Sequence, residues 1–181
     1  MAMYVFQELA PKVFYFTYCL QEIGGYIGFL EESEKNTSNL ISKWHDEEYG
    51  YEKRISSDFS NETETVDTRS LFIINNLKAT FHYCFTQYKI FNNIEEPVNL
   101  SPKYWVRKHN EGQVKNNCGA NGKYTARLYI NDSFSGGEIS IPGKPSFKPE
   151  AGSIIIAPSD VQVTAEPAHG NSRYIAIGHW V

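Results

Sequence analysis

No stretch of the 181-residue chain approaches eighteen consecutive apolar residues, which excludes a helical membrane span. The first residues, Met1-Ala2-Met3-Tyr4, carry neither a basic leader region nor a small-residue cleavage site, so the expectation is a protein that is not secreted. Cysteine is scarce. Cys19, Cys84 and Cys118 are odd in number and stand at no metal-ligand spacing, which favours free thiols in a reducing compartment. The sequons at Asn36, Asn61 and Asn131 have no consequence there. Neither G-x-x-x-x-G-K-[ST] nor G-x-G-x-x-G occurs, so nucleotide cradling has no support. There is no internal repeat and no low-complexity tract. Cys118 as a nucleophile would need a neighbouring base, and His109, nine residues away, is not placed beside it by sequence alone.

What the chain does have is aromatic residues: 12 Tyr, 11 Phe and 3 Trp. These bury large areas each and point to a dense core or to surfaces made for partners. The net charge of −4 is uneven. Residues 1–100 hold 8 basic and 15 acidic side chains, whereas residues 101–181 hold 9 and 6. So small a basic excess, spread over the second part, is no nucleic-acid footprint.

The length suits one domain, 1–181, with helical support, strand edges and a polar loop region over 1–100 and a β-roll over 101–181. Residues 13–18 suit a short strand, and 21–34 place Ile23, Tyr26, Ile27 and Leu30 at helical spacing. Residues 31–70 are polar, with Trp44, Tyr49 and Tyr51 as anchors, and read as loops with short strands or turns. Over 71–91, Ile74, Leu77, Phe81, Cys84 or Phe85, Tyr88 and Phe91 recur every three or four residues, which predicts the principal helix. Cys84 and His82 read there as a core thiol and a helix-face imidazole. After Pro97 the segments 103–108, 124–130, 138–141, 153–157, 161–165 and 174–180 are short and β-rich, separated by Gly, Asn, Pro and Asp turns. The expected fold class is α+β: an antiparallel jelly-roll core with N-terminal helices packed on one sheet.

Four motifs follow one another in order: Tyr124-Thr-Ala-Arg-Leu-Tyr-Ile-Asn-Asp, Phe134-Ser-Gly-Gly-Glu-Ile-Ser-Ile-Pro, Phe147-Lys-Pro-Glu-Ala-Gly-Ser-Ile-Ile-Ile-Ala-Pro-Ser, and Arg173-Tyr running to Trp180. This order resembles the Fe(II)/2-oxoglutarate-dependent oxygenases of the prolyl-4-hydroxylase type, especially short versions found in tailed phages of cyanobacteria. The resemblance is strongest over 124–180 and weaker upstream through Tyr104-Trp-Val-Arg-Lys and the long helix. It implies a double-stranded β-helix and a facial triad of two His and one carboxylate. Lys108-His109-Asn-Glu-Gly112 matches the family's lead-in to the triad. The triad positions then fall on Cys118, Ala120 and Val163, none of which is the expected ligand, and no Asp occurs between Asp67 and Asp132. Pro167 matches the closing motif, and Arg173 the basic residue that grips the far carboxylate of 2-oxoglutarate.

Alternation puts Thr125, Arg127 and Tyr129 on one strand face, the face that lines the cosubstrate pocket in the family. Arg127 stands where the family has an apolar residue. It either fills the vacant iron position through an internal salt bridge or joins Arg173 in holding an anion. A rival register keeps a metal on His109, Glu111 and His169. His45 and His179 have no assigned partner, and His179 reads as sheet packing.

The resemblance with a degenerate triad implies an inactive oxygenase-fold protein with no cofactor. It would act as a structural or interaction component of a tailed-phage virion or its assembly. Its partners would be other structural proteins or further copies of itself, in the host cytoplasm and then the virion. The alternatives are an active dioxygenase using Fe(II) and 2-oxoglutarate at a non-standard site, or an anion- or small-ligand-binding module built on Arg127 and Arg173.

Overall fold

A computed structural model describes residues 5–20, 23–35, 45–47, 50–56, 68–100, 103–114 and 122–181. The chain begins with strands β1 (Phe6–Ala10) and β2 (Val13–Phe16), then helix α1 (Ile23–Lys35). Strands β3 (His45–Glu47) and β4 (Gly50–Ser56) precede the long helix α2 (Thr68–Phe91). The rest is β: β5 (Lys103–His109), β6 (Tyr124–Tyr129), β7 (Ser135–Gly136), β8 (Ile139–Ser140), β9 (Ile154–Pro158), β10 (Thr164–Ala165), β11 (Ala168–His169) and β12 (Arg173–Trp180).

Eight strands form one antiparallel sheet in the order β1-β2-β9-β6-β12-β5-β4-β3. Two short pairs, β10-β8 and β11-β7, form the second layer. This is the α+β jelly roll with helices on one sheet that the turn spacing predicts. The segments at 138–141 and 161–165 form strands of only two residues. Val161 N donates to Pro158 O (3.1 Å), so its backbone closes a turn instead of a ladder.

The helices cover one face of the large sheet because α2 carries an apolar stripe. Leu77, Phe81, Cys84, Phe85 and Tyr88 are buried at intervals of three and four residues, against Leu128, Ile154, Ile156, Tyr174, Ala176 and Trp180. Trp180 anchors the contact: the Phe85 ring stacks on it at 4.1 Å between centroids, and Phe81 meets it edge-on at 6.1 Å. Gly178 permits this approach, since a Cβ there would lie 3.3 Å from the Phe81 ring. The other face holds a second, aliphatic cluster inside the roll: Val13, Tyr129, Ile139, Ile141, Ile155, Ala157, Val163, Ile175 and Ile177. Among the described residues no helix is long and apolar enough to cross a membrane.

Phe81 has no exposed surface and packs between α2 and the sheet. Phe81→Ala is expected to cost about 3–5 kcal/mol, measured as a lower urea midpoint with an unchanged slope; a loss below about 1 kcal/mol would show that the contact is not a core contact.

Candidate ligand site inside the roll

The inner face of the large sheet departs from an ordinary apolar core. On β6, Ala126 and Leu128 point to the helices, so Thr125, Arg127 and Tyr129 point into the roll. On β12 the inward set is Arg173, Ile175, Ile177 and His179. The antiparallel register sets Arg173 opposite His109, and Ile175 between Arg107 and Tyr129. It also sets Ile177 opposite Arg127, and His179 opposite Thr125. Three arginines and two histidines thus share one face with a pair of isoleucines. Arg107, Arg173, His109 and His179 are buried and Arg127 is half-buried, between Ile155 and Ile177 of its neighbouring strands.

A guanidinium taken out of water must find acceptors. Arg173 is 2% exposed. Its Nε and Nη2 lie 3.3 and 2.9 Å from Nδ1 of His109, and its Nη1 donates to the carbonyl of Glu166 at 3.3 Å. A guanidinium has donors only, so Nδ1 accepts and His109 is the neutral, Nε2-protonated imidazole. Asn131 pins the entry to β12 by accepting from Tyr174 N (2.8 Å) and donating to the Ser172 carbonyl (2.9 Å). At the far end Nδ1 of His179 lies 3.2 Å from Oγ1 of Thr125, which lies 2.9 Å from Oγ of Ser159. His179 is therefore part of a polar chain that the reading as sheet packing missed; its alternation with Arg173, Ile175 and Ile177 was the available signal. On β2, Tyr15 Oη accepts from Glu150 N at 3.0 Å, and burial pushes this phenol above its ordinary pKa.

Among the described residues, the side chains of the rival metal register are engaged apart from one another. His109 points into the roll with Nδ1 engaged by Arg173, Glu111 Oε1 accepts from Gly170 N at 2.9 Å, and His169 is exposed on β11 opposite Ser135. No group of three His, Cys, Asp or Glu side chains able to hold a metal occurs among the described residues. Of the positions the resemblance assigns to the triad, Val163 is buried in the aliphatic cluster, while Cys118 and Ala120 lie outside the described residues. The described residues therefore do not supply a ligand set for iron. Thr125, Arg127, Tyr129 and Arg173 do share the inner face expected of them.

The strand order, the helix-covered face and the two-layer roll make a jelly-roll fold, which is also found in oxygenases that use 2-oxoglutarate. Among solved structures, the chain is similar to an oxidoreductase of the 2OG-Fe(II) oxygenase family from Burkholderia pseudomallei (14% identity, 85% of this chain and 76% of that one, TM-score 0.53). It is similar to the viral collagen prolyl hydroxylase vCPH of Paramecium bursaria Chlorella virus-1, solved with 2-oxoglutarate (13%, 98% and 93%, TM-score 0.57). HygX from Streptomyces hygroscopicus, solved with nickel and 2-oxoglutarate, is a third (9%, 93% and 82%, TM-score 0.55). At these identities the likeness is one of fold. No protein-family model matches the sequence, and no curated protein matches it. The expectation of a protein without any cofactor is corrected by these structures: one belongs to the 2OG-Fe(II) oxygenase family, one is a prolyl hydroxylase in complex with 2-oxoglutarate, and one has nickel and 2-oxoglutarate bound.

The Arg173–His109 contact is testable apart from any ligand. His109→Phe keeps the ring shape but removes the acceptor, and should cost about 1–3 kcal/mol of folding stability. In a double-mutant cycle with Arg173→Met, the two losses should fall short of additivity by at least about 0.5 kcal/mol; simple additivity would contradict direct coupling.

Proposed function

We propose that this chain binds a small dicarboxylate of the 2-oxoglutarate class inside its roll, with Arg173 as the carboxylate anchor. The observation that carries the proposal is the buried Arg173 guanidinium at the start of β12, its planar fork oriented by His109 and the Glu166 carbonyl. Such a fork matches a carboxylate with two parallel hydrogen bonds, and low local polarity strengthens that pairing. Arg127 supplies a second positive charge on the same face, suited to the other end of a dianion, and the hydroxyls of Thr125 and Tyr129 are donors on that face. The likeness to structures that carry 2-oxoglutarate supports the choice of ligand class.

Isothermal titration and thermal denaturation with 2-oxoglutarate test the proposal. Saturable binding and a higher melting temperature are expected, both abolished by Arg173→Met and weakened at least tenfold by Arg127→Met. A folded protein indifferent to millimolar 2-oxoglutarate would overturn it. Succinate release with added Fe(II) then separates an oxygenase from a binding module.

A second reading is a structural or interaction component, of the tailed-phage kind that the resemblance suggests, and it moves the function to the surface. It is supported by the exposed apolar residues Val5 and Phe6 at β1, the terminal strand of the large sheet, and Phe91 of α2 beside them. The Phe6 and Phe91 rings stack there at 4.0 Å. Self-docking through this edge predicts concentration-dependent association in sedimentation, lost in Phe6→Ser; a monomer at every concentration contradicts it.

A further inference from the structure

Helix α2 turns one periodic side to the sheet and a second one to solvent. Phe72, Asn76, Ala79, Tyr83, Thr86 and Ile90 follow at spacings of four, three, four, three and four. At about 100° per residue they fall within about 40° of a single line along the helix. That line lies opposite Leu77, Phe81, Cys84 and Tyr88, which are buried against the sheet. Phe72 is 53% exposed, Tyr83 44% and Ile90 62%. Ala79 and Thr86 are exposed between them. Single exposed apolar residues are ordinary, but a sustained alternation of four and three is the seam of a helix pair. The seam runs for about 27 Å. Phe91 stands about a quarter-turn round the helix, stacked on Phe6, so the seam is distinct from the β1 edge.

The charge along the seam has one sign. In its 24 residues α2 has Arg69, Lys78 and Lys89 and no Asp or Glu. Lys78, His82 and Lys89 line one border of the seam, whereas Thr80 and Gln87 on the other border are uncharged. At the helix end Lys89 Nζ donates to the Glu96 carbonyl at 2.9 Å, and the Glu96 carboxylate is itself paired with Lys123 at 2.7 Å. Partial burial and the charge of Lys78, one turn away, hold His82 below its ordinary pKa. Two copies of α2 laid antiparallel along this seam would set basic border against basic border, which disfavours a second copy as the occupant. Asn76 and Thr86 within the seam disfavour burial in lipid, where their polar groups would lose their partners.

We propose that the exposed seam of α2 docks an acidic amphipathic helix of a partner protein, apolar along the seam and lined with carboxylates on the edge that meets Lys78, His82 and Lys89. Burial of Phe72, Tyr83 and Ile90 supplies the affinity, as in other pairings of a helix with an apolar surface. The basic border selects an acidic partner and fixes which way round it lies. Ala79, small and central, lets the two backbones approach, and Asn76 and Thr86 favour a register that gives them polar partners.

The experiment uses the full chain and a labelled synthetic peptide of roughly three heptads, with Leu at the a and d positions and Glu at e and g. The Glu borders repel one another, so the free peptide stays unpaired at neutral pH. Fluorescence anisotropy should show saturable binding that weakens as salt is raised, and the peptide should gain helical circular dichroism. The same peptide with Lys in place of Glu should bind at least roughly tenfold more weakly. Tyr83→Ser combined with Ile90→Ser, both at exposed positions, should lower the affinity for the Glu peptide roughly tenfold and leave the melting temperature unchanged. Lys78→Glu should cut the preference for the Glu peptide over the Lys peptide by roughly threefold or more. A Glu peptide that does not bind, equal binding of both peptides, or binding indifferent to the Tyr83 and Ile90 substitutions would each overturn the proposal. Self-association of the chain, or binding to phosphatidylglycerol vesicles, that is lost with those two substitutions would overturn it as well.

Discussion

Strand β12 is buried along all eight of its residues, and both layers of the protein are organised around it. A strand covered on both faces must satisfy two environments with alternate side chains. Tyr174, Ala176 and Trp180 meet the helices, and Gly178 leaves room for Phe81. Arg173, Ile175, Ile177 and His179 meet the roll. Because β12 is hydrogen-bonded to β5 on one side and β6 on the other, the inward residues inherit their positions from the helix-covered core. The candidate site is therefore as rigid as the packing of α2 on Trp180.

The roll interior combines two requirements that ordinarily oppose each other. Its middle is aliphatic, with Val163 among Ile139, Ile155 and Ile177. Its borders on β5, β6 and β12 carry guanidinium and imidazole groups. The buried charge of Arg173 is tolerated because a neutral imidazole and a backbone carbonyl accept its hydrogen bonds. The same hydrogen bonds fix the orientation of a group that is planar by its own delocalisation. They also explain why His109 cannot serve as a metal ligand through Nδ1: that lone pair already belongs to Arg173. The likeness to the solved oxygenases is one of fold, and the proposed dicarboxylate site rests on Arg173 and Arg127.

Much of this was legible in the sequence. The three- and four-residue repeat from Ile74 to Phe91 marks α2, although the helix begins at Thr68, where polar residues carry no period. Strands β6, β9 and β12 announce themselves by alternation or by continuous apolar runs. Strand β1 does not, since Phe6-Gln-Glu-Leu-Ala has no decisive pattern and is a strand because it pairs with β2. Strand β4 is likewise stabilised by pairing with β5 through seven register positions. Strands β7 and β11, two residues each, are too short to carry any period. At the site, alternation correctly gathers Thr125, Arg127 and Tyr129. The Arg173–His109 contact joins residues 64 apart across adjacent strands, and no local signal reveals it.

The proposed role of Arg173 is that of a preorganised carboxylate anchor. Proton–nitrogen NMR of the arginine Nε–H groups tests it most directly, because a buried, hydrogen-bonded guanidinium gives a protected resonance that reports its own ligand. Titration with 2-oxoglutarate should shift the Arg173 Nε–H resonance saturably, with a smaller shift for Arg127 and none for an exposed backbone amide such as that of Val5. An Arg173 resonance that stays fixed through millimolar 2-oxoglutarate, in a protein shown to be folded, would contradict the account.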